Sequence, residues 1–486
     1  MKKIIVLFVM LGAALFTYAQ NEIDALRYTF TQYYGTGRSI AMGNAFGALG
    51  ADMGAIAINP AAVATFKHNT FTITPFFAFD KAVSTFNGTT KQNFDYKFAL
   101  DNFGLLFTTP GKLSFAITVN KIANYNHDIL IEGVNDKGSF MDALMLDADG
   151  LSPDELNPYT TGPAFDTYII DTVPGTLTYT NALWWSLAPG EEPTYGETQK
   201  KVVRTKGAGN KTDLAVGYNF GDKLFLGASV NFFSFNYSET SEYSEDFSNL
   251  NVDIDYMEYT QQLTQTVSGL GFSVGMIYSP IKNIRIGGSF VSPSSLHVKE
   301  RYNVKMYSHF VTPDAYGNTS YEASYPYDNN DAVNYYDYHI YSPMHMTASL
   351  GFITRFGSFG IEYEYVTYNL MKMSADDNTF EYANETIQNF KNRENLRAGG
   401  ELRLGIVRVR AGGSYYPSPT SYLSDVLVLS GGIGVISGNT SLDFSFSQSS
   451  QGYPNYYLYN GYSDEPVPSV QINNYSMNVT LGIKLD

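Results

Sequence analysis

Tyr33-Tyr34-Gly35-Thr36-Gly37-Arg38-Ser39-Ile40-Ala41-Met42-Gly43-Asn44-Ala45-Phe46-Gly47, continuing through Asp52 to Ile58-Asn59-Pro60-Ala61-Ala62-Val63, is the stretch on which the reading of this chain turns. It is small, weakly apolar and uncharged apart from Arg38 and Asp52. Glycines at 35, 37, 43, 47, 50 and 54 allow tight turns, and the ring of Pro60 keeps Asn59 out of the helical region. A segment of this kind can thread a narrow space. Because about 400 residues of alternating, aromatic-rich sequence follow it, residues 20–68 are expected to form a compact plug inside a structure built by residues 69–486.

The chain opens with Met1-Lys2-Lys3, an apolar run from Ile4 to Phe16, and Thr17-Tyr18-Ala19. That is the charged, apolar, small-residue order of a secretory signal, with cleavage expected after Ala19. The run is shorter than the roughly 20 residues a spanning helix needs, so a retained anchor is the weaker reading. There is no cysteine, which excludes disulfides and thiolate chemistry, and the formal net charge of -16 is the wrong sign for nucleic acid. An exported chain with 39 Tyr and 33 Phe, and no later apolar run long enough to span as a helix, fits a transmembrane β-barrel better than a helical membrane protein or a soluble secreted β-protein.

From about Asn69 the sequence alternates apolar and polar residues in segments separated by breaks, and the breaks alternate in length. Short turns fall at 109–112, 221–223, 279–283, 356–358, 404–406 and 437–439; long polar connections fall at 81–93, 126–210, 239–257, 307–336, 372–391, 417–425 and 451–470. Tight turns on one side and long loops on the other are the layout of an outer-membrane barrel, and the segments number about fourteen, an even count. Leu214, Val216, Tyr218 and Phe220 oppose Asp213, Ala215, Gly217 and Asn219; Tyr475, Met477, Val479, Leu481, Ile483 and Leu485 oppose Ser476, Asn478, Thr480, Gly482 and Lys484. The apolar set is expected on lipid and the other in the lumen.

The connection 126–210 is too long for a bare loop. Ser152-Pro153-Asp154-Glu155 reads as a capped helix start, and Phe140, Leu144, Met145, and then Phe165, Tyr168 and Ile169, have helical spacing. Two readings stand: a cap packed on itself, or an external apolar groove in which Phe165, Tyr168, Ile169, Trp184 and Trp185 capture a greasy ligand. Arg397, Glu401, Arg403, Arg408 and Arg410 lie on the non-lipid phase of two strands, because Arg at the bilayer midplane costs about 2–4 kcal/mol. They are expected in the lumen, paired with Glu362, Glu364, Asp443 and the plug, or attracting a ligand carboxylate.

Leu113, Phe115, Ile117 and Val119 keep one phase, which slips at Asn120-Lys121 so that Ile122 changes face. The slip reads as a bulge with Lys121 snorkelling at the outer interface, or as a gap in the wall around Val119, Asn120, Lys121 and Ile122 through which an apolar solute leaves sideways. Asp147-Ala148-Asp149-Gly150 lacks the full spacing of a calcium loop and reads as a turn. The six His are scattered with no metal-ligand spacing, and no catalytic motif, cofactor site or phosphate loop is found.

The run Gly35-x-Gly37-Arg38, Gly43-x-Ala45, Ala51-Asp52 and Asn59-Pro60-Ala61 followed by Phe66 resembles the N-terminal hatch of the FadL/TodX outer-membrane transporters. Leu396-Arg397-Ala398-Gly399-Gly400-Glu401 and Val409-Arg410-Ala411-Gly412-Gly413-Ser414-Tyr415-Tyr416-Pro417-Ser418-Pro419 are similar to that family's late strand pair, and the chain as a whole resembles its Bacteroidetes branch, often labelled hemin receptors. The resemblance implies an all-β, fourteen-stranded barrel with an internal hatch and a partly helical extracellular cap. It also implies uptake of long-chain fatty acids or other apolar compounds by a monomer in contact with outer-membrane lipid, with lateral release at a kinked strand. Gly35, Gly37, Arg38, Gly43, Asp52, Asn59, Pro60 and Ala61 would be the gating segment. Two departures stand out: Pro75 falls inside the first strand, where it requires a bulge, and the chain ends Leu485-Asp486 without an aromatic residue. Hemin would call for a His or Tyr ligand that the spacing does not single out. The alternatives are an adhesive barrel whose plug never opens, a general porin and, remotely, a phospholipase.

Overall fold

The computed structural model describes residues 22–30, 32–109, 112–185, 187, 191, 193–326, 335–376, 379–421, 423–459 and 467–485; the expected signal segment lies outside them. Fourteen antiparallel strands close a barrel. They are β1 (Thr70–Phe86), β2 (Thr89–Thr108), β3 (Leu113–Asn124, resuming His127–Asn135), β4 (Glu197–Phe220), β5 (Leu224–Asp246), β6 (Ile254–Ile281) and β7 (Ile284–Val291, resuming Ser295–Phe310). The series continues with β8 (Tyr335–Tyr341, resuming His345–Ile353), β9 (Gly357–Val366, resuming Lys372–Ser374), β10 (Arg393–Leu404), β11 (Val407–Tyr416), β12 (Val426–Ser437), β13 (Thr440–Tyr453) and β14 (Ser469–Lys484). β14 pairs with β1, Thr70 opposite Lys484 and Thr85 opposite Ser469, and this ladder closes the cylinder.

The two-residue period sets which side chains meet lipid. Leu214, Val216 and Phe220 are exposed on the outer wall while Asp213 and Ala215 are buried inside; on β14, Met477 faces out and Ser476, Asn478 and Thr480 face in. Pro75 sits at a register shift on the β1–β2 ladder, and the β1–β14 ladder skips it, so its missing N–H breaks no rung. Segment 81–93 is no loop: β1 and β2 run on as one hairpin through Asn87-Gly88, both at positive φ, the conformation a two-residue hairpin turn needs. Segment 239–257 likewise shrinks, because β5 runs to Asp246 and β6 begins at Ile254.

Inside the barrel lie α1 (Glu22–Thr29), α2 (Gly37–Ala41), α3 (Met53–Ile58) and a 3-10 turn (Pro60–Thr65). Outside it, the cap between β3 and β4 holds α4 (Phe140–Ala148), α5 (Thr161–Asp166) and a small ribbon of Ile170–Thr172 with Tyr179–Asn181. A further helix, α6 (Glu381–Gln388), follows β9.

The hatch rests on wall positions that have no side chain. A Cβ on Gly399 would stand 2.1 Å from the Met42 carbonyl oxygen, one on Gly412 2.3 Å from the Met42 carbonyl carbon, and one on Gly360 2.2 Å from the Ala45 oxygen. On the opposite wall a Cβ on Gly227 would stand 2.3 Å from the Pro60 oxygen and one on Gly275 1.9 Å from Asn59 Oδ1. Backbone therefore meets backbone on both sides of the lumen. Of the hatch glycines, only Gly43 and Gly50 have positive φ. Gly35 and Gly54 instead let their own segments touch, and Gly37 and Gly47 let the hatch approach the wall.

Candidate functional site

Asn59 is the hinge of the hatch sequence. It ends α3, begins the 3-10 turn by accepting from the Ala61 N–H at 3.0 Å, and donates to the Gly47 carbonyl at 2.7 Å and the Met276 carbonyl of β6 at 3.2 Å. Extended backbone at Asn59 is what Pro60 imposes. Asp52 caps α3 through the Gly54 N–H at 2.9 Å and receives Thr36 Oγ1 at 2.8 Å. The wall holds the hatch body as well: Gly37 N–H donates to Thr480 at 2.6 Å, Gly47 N–H to Glu362 at 2.7 Å, and Lys211, Ser289 and Ser414 donate to the carbonyls of Ala57, Ile58 and Gly43.

The charged residues of the late strands sort by depth. Arg397 is fully buried and pairs with Glu362 at 2.7 Å and Glu364 at 2.9 Å; Arg410 pairs with Glu401 at 2.8 Å and Asp443 at 2.6 Å. Arg38 of the hatch joins Glu401 at 3.2 Å, so one carboxylate ties plug to wall. Arg403 and Arg408 do not belong to this interior network in the same sense. Arg403 is partly exposed between Glu401 and the Thr354 carbonyl, and Arg408 donates to the carbonyls of Gly405 and Val407 at the tight turn between β10 and β11.

The wall is interrupted at β3. β3 pairs with β2 only up to Asn120 opposite Asn102, while β2 stays paired with β1 on its other side as far as Thr89. Beyond the Asn102–Asn120 rung the β2 edge has no ladder partner among the described residues. At the same height the β3–β4 register shifts between Lys121 and Ala123. Val119 keeps its rung opposite Phe103, and Ile122 turns inward and is buried. Lys121 does not snorkel outward: it is buried, 3.4 Å from Asp101 of β2 and 3.6 Å above the Phe76 ring. The bulge that slips the phase turns Lys121 into the lumen, where Asp101 offers the charge that the lipid interface was expected to replace with water. Lys97 reaches from β2 across the slot to Asn124 at 2.6 Å, and Lys91 to Glu132 at 2.7 Å.

From inside, the N-terminal tail covers the slot. Gln32 N–H donates to the Ile122 carbonyl at 3.1 Å and Tyr34 N–H to the Lys121 carbonyl at 3.3 Å, so residues 32–34 take the β3 edge that β2 leaves. Above them the Tyr28 ring packs edge-on to Tyr125 and Phe235. The cavity between tail and wall, lined by Tyr28, Ile122, Phe233, Phe235 and Leu296 among others, measures only about 40 Å³. That is room for a little water, far below the several hundred Å³ of a ligand pocket.

The cap is packed on itself and on the barrel rim. Phe140 and Leu144 of α4 are buried in a cluster with Ile169, Ile170 and Leu183, against which Met145, Phe165 and Trp184 pack. Ile169 lies beyond α5, not on its face. Tyr168 and Trp185 are the exposed members of the expected capture group, and each packs on the rim, Tyr168 edge-on to Tyr321 and Trp185 stacked on Phe310. The five residues form no single open groove. Ser152 and Glu155 do form a capping box, on a single 3-10 turn.

Two buried carboxylates clasp α4 to the rim. Glu245, at the outer end of β5, accepts the Phe140 N–H at 2.8 Å, Tyr243 OH at 2.6 Å and Gln199 Nε2 at 3.0 Å, and also receives Ser139 OH. Gln199 Nε2 lies 3.1 Å from Glu197 as well, and Asp142 of α4 faces Glu197. Burial, and then the neighbouring Glu197 carboxylate, push Glu245 up to about 8; burial pushes Glu197 up to about 7. Raised values mean that docking of α4 is fully supported below the free carboxyl range and weakens as pH rises through about 7 to 8. Protease sensitivity of the cap is therefore expected to increase from about pH 5 to about pH 8, by up to roughly tenfold per pH unit for each proton released, and to level off above it. Glu245→Gln should flatten that profile; an unchanged profile would sink the assignment.

No family profile matches the sequence, and no curated protein does. Among solved structures, a Pseudomonas aeruginosa FadL homologue superposes on 94% of this chain and 100% of its own with a TM-score of 0.57 at 13% identity. The Pseudomonas putida toluene transporter TodX superposes on 93% of this chain and 99% of its own with a TM-score of 0.52 at 10% identity. This chain has the fold of the FadL/TodX barrels. Its closed fourteen-stranded wall, apolar outside and polar inside, is the architecture of an outer-membrane β-barrel.

Two features of this FadL/TodX-type barrel escape a reading of the sequence. The His residues are dispersed along the chain, yet His297 of β7 and His339 of β8 are cross-strand partners with ring centroids 5.0 Å apart; no group of three metal-binding side chains forms among the described residues. Arg393, unremarkable in sequence, is one of the largest fully buried side chains. Neither has a local signal, because register across strands decides both.

Proposed function

We propose that this barrel carries apolar small molecules, such as long-chain fatty acids, inward across the outer membrane without an energy source of its own and releases them sideways through the slot at β3. The observation that carries the reading is the interruption of the β2–β3 ladder beyond Asn102–Asn120, covered from inside by Tyr28, Gln32 and Tyr34. The fold likeness to TodX, a toluene transporter, supports the substrate class. Sideways exit suits such a ligand, since each CH2 kept out of water is worth about 0.8 kcal/mol. In this reading the moving part is residues 22–30 and 32–34, whose release breaks the hydrogen bonds that Arg27 and Tyr28 donate to Gln265 and that Tyr125 and Tyr368 donate to the Arg27 and Thr29 carbonyls, and Asn59-Pro60-Ala61 is its fixed base. The external cap supplies entry through Tyr168 and Trp185 when it loosens.

The absence of native cysteine makes the test clean. A Gln32→Cys/Ile122→Cys pair should, when oxidised, reduce uptake of labelled palmitate to the level of cells lacking the barrel, and recover on reduction. Oxidised protein that transports as fast as reduced protein would rule out the tail as gate. Lys97→Ala removes a strap across the slot and should raise the uptake rate about two- to fivefold, the effect of losing one charge-assisted hydrogen bond screened by solvent; equal rates would show that the strap does not limit exit. No uptake of any apolar compound would favour the adhesive alternative.

A further inference from the structure

His297 and His339 look outward from β7 and β8 as directly opposed residues of one ladder. Both strands break just below them, β7 between Val291 and Ser295 and β8 between Tyr341 and His345. Ser294 and Ser342 tie the two breaks together through a pair of 2.9 Å hydrogen bonds. Beyond the breaks the alternation buries Leu296, Val298, Tyr338 and Ile340 behind the wall and leaves the two imidazoles on its outer face. The pair stands just above the lipid. Ser295, one outward position lower on β7, faces Leu270 of β6, after which the outward residues of β6 are Ser268, Thr266 and Thr264.

The two rings lie 5.0 Å apart, centroid to centroid, with 25° between their planes. One nitrogen of each is already engaged: His297 Nε2 lies 3.9 Å from Asp337 Oδ1, and His339 Nδ1 shares a 3.3 Å hydrogen bond with Ser295 Oγ. Asp337 is the register partner of Lys299, yet its ion pair is with His297. His297 Nδ1 and His339 Nε2 have no partner among the described residues. A metal-ligating imidazole divides its nitrogens in the same way, one on the ion and the other oriented by a carboxylate or another polar group. We propose that His297 and His339 chelate one divalent transition-metal ion, of which zinc is the type best matched to imidazole with water in the remaining positions, taken up from the medium outside the cell. Opposed Cβ atoms in an antiparallel ladder are about 4.5–5.5 Å apart, close enough for both rings to turn toward an ion about 2.0–2.1 Å from each nitrogen. The side chain of His297 is 36% exposed, so this turn disturbs no packed core. The ion joins β7 to β8 on the outer face, directly across the wall from Leu296 and Tyr338, which cluster with Tyr28 of the tail. His127, His309 and His345 each face one carboxylate too, but none has a second histidine across its ladder.

The test is titration of the purified, untagged full chain in detergent with Zn2+ and with Cu2+, in a buffer that binds neither. Calorimetry with Zn2+ should show one site per chain. His297→Gln and His339→Gln should each weaken it at least about tenfold, because the second ligand no longer acts intramolecularly. Asp337→Asn should weaken it about tenfold, through the orientation of His297. His309→Gln, a lone histidine beside Asp255, should leave it within about twofold. Zn2+ should raise the thermal midpoint of wild type and not that of His297→Gln/His339→Gln, whose metal-free midpoint should equal that of wild type. Pulsed EPR of the Cu2+ complex should count two imidazoles per ion in wild type and one in either single variant. No Zn2+ binding by wild type, binding that His297→Gln leaves within about twofold, or one imidazole per Cu2+ in wild type would each mean an adventitious ion only and overturn the proposal.

Discussion

Gly399→Val/Gly412→Val will unseat the hatch and turn a closed barrel into a conducting one. Both glycines face Met42, and their added Cβ atoms would stand 2.1 and 2.3 Å from backbone atoms of the hatch. No rotamer can relieve a clash between two main chains, so each substitution costs more than the usual 1–3 kcal/mol of an overpacked core. The wall is held by its ladders, whereas the hatch body is held by the wall. The hatch is therefore expected to give way first. Single-channel recordings in planar bilayers should show near-zero conductance for wild type and porin-like openings for the double variant. Gly288→Val is the control, because its Cβ would meet nothing closer than the Thr347 oxygen at 3.8 Å. A double variant that stays folded and closed would show that the glycines are not the seat.

Arg397→Met should be the most destabilising single substitution in the lumen. It leaves Glu362 and Glu364, both buried, without their shared cation. Removing one partner of a buried ion pair costs about 3–5 kcal/mol, and here two carboxylates lose it together. The damage reaches the plug, since Glu362 also receives the Gly47 N–H and Glu364 receives Tyr33 OH at 3.2 Å. The thermal midpoint of the detergent-solubilised barrel should fall sharply, and Glu362→Gln/Glu364→Gln added to Arg397→Met should restore most of the loss. Arg403→Met, at the partly exposed rim, should cost about 1 kcal/mol or less. Equal losses for Arg397→Met and Arg403→Met would refute the distinction by depth.

Much of the architecture was legible because β structure writes its period into every second residue. Leu214 and Asp213 declare opposite faces without reference to any other strand. Short and long breaks set the strand parity in the same local way, and the spacing of Asn59-Pro60-Ala61 made a turn unavoidable. The errors have one origin. Segment 81–93 looked like a loop because its side chains are polar, but β1 and β2 extend above the apolar band, where polar residues on a paired hairpin cost nothing. Lys121 was expected to face water because a lysine inside a barrel needs a partner, and Asp101 is invisible from the local sequence. The capture group looked coherent by helical spacing, yet the chain leaves α5 before Ile169 and buries it.

By itself, then, the sequence determined an alternating fourteen-strand wall, a small-residue segment fit to lie within it, and the luminal side of Arg397, Glu401 and Arg410, since these follow from the geometry of one strand and the cost of charge in lipid. Only the tertiary structure decided that, among the described residues, the β2 edge has no ladder partner beyond Asn102, that residues 32–34 take the β3 edge it leaves, and that Arg393 alone of the three buried arginines of β10 and β11 has no carboxylate within ion-pair distance. Those facts depend on register and closure, which bring Gln32 to Ile122 and Phe30 to Arg393 across tens or hundreds of residues. No local pattern encodes a distance that the shear of the whole barrel sets.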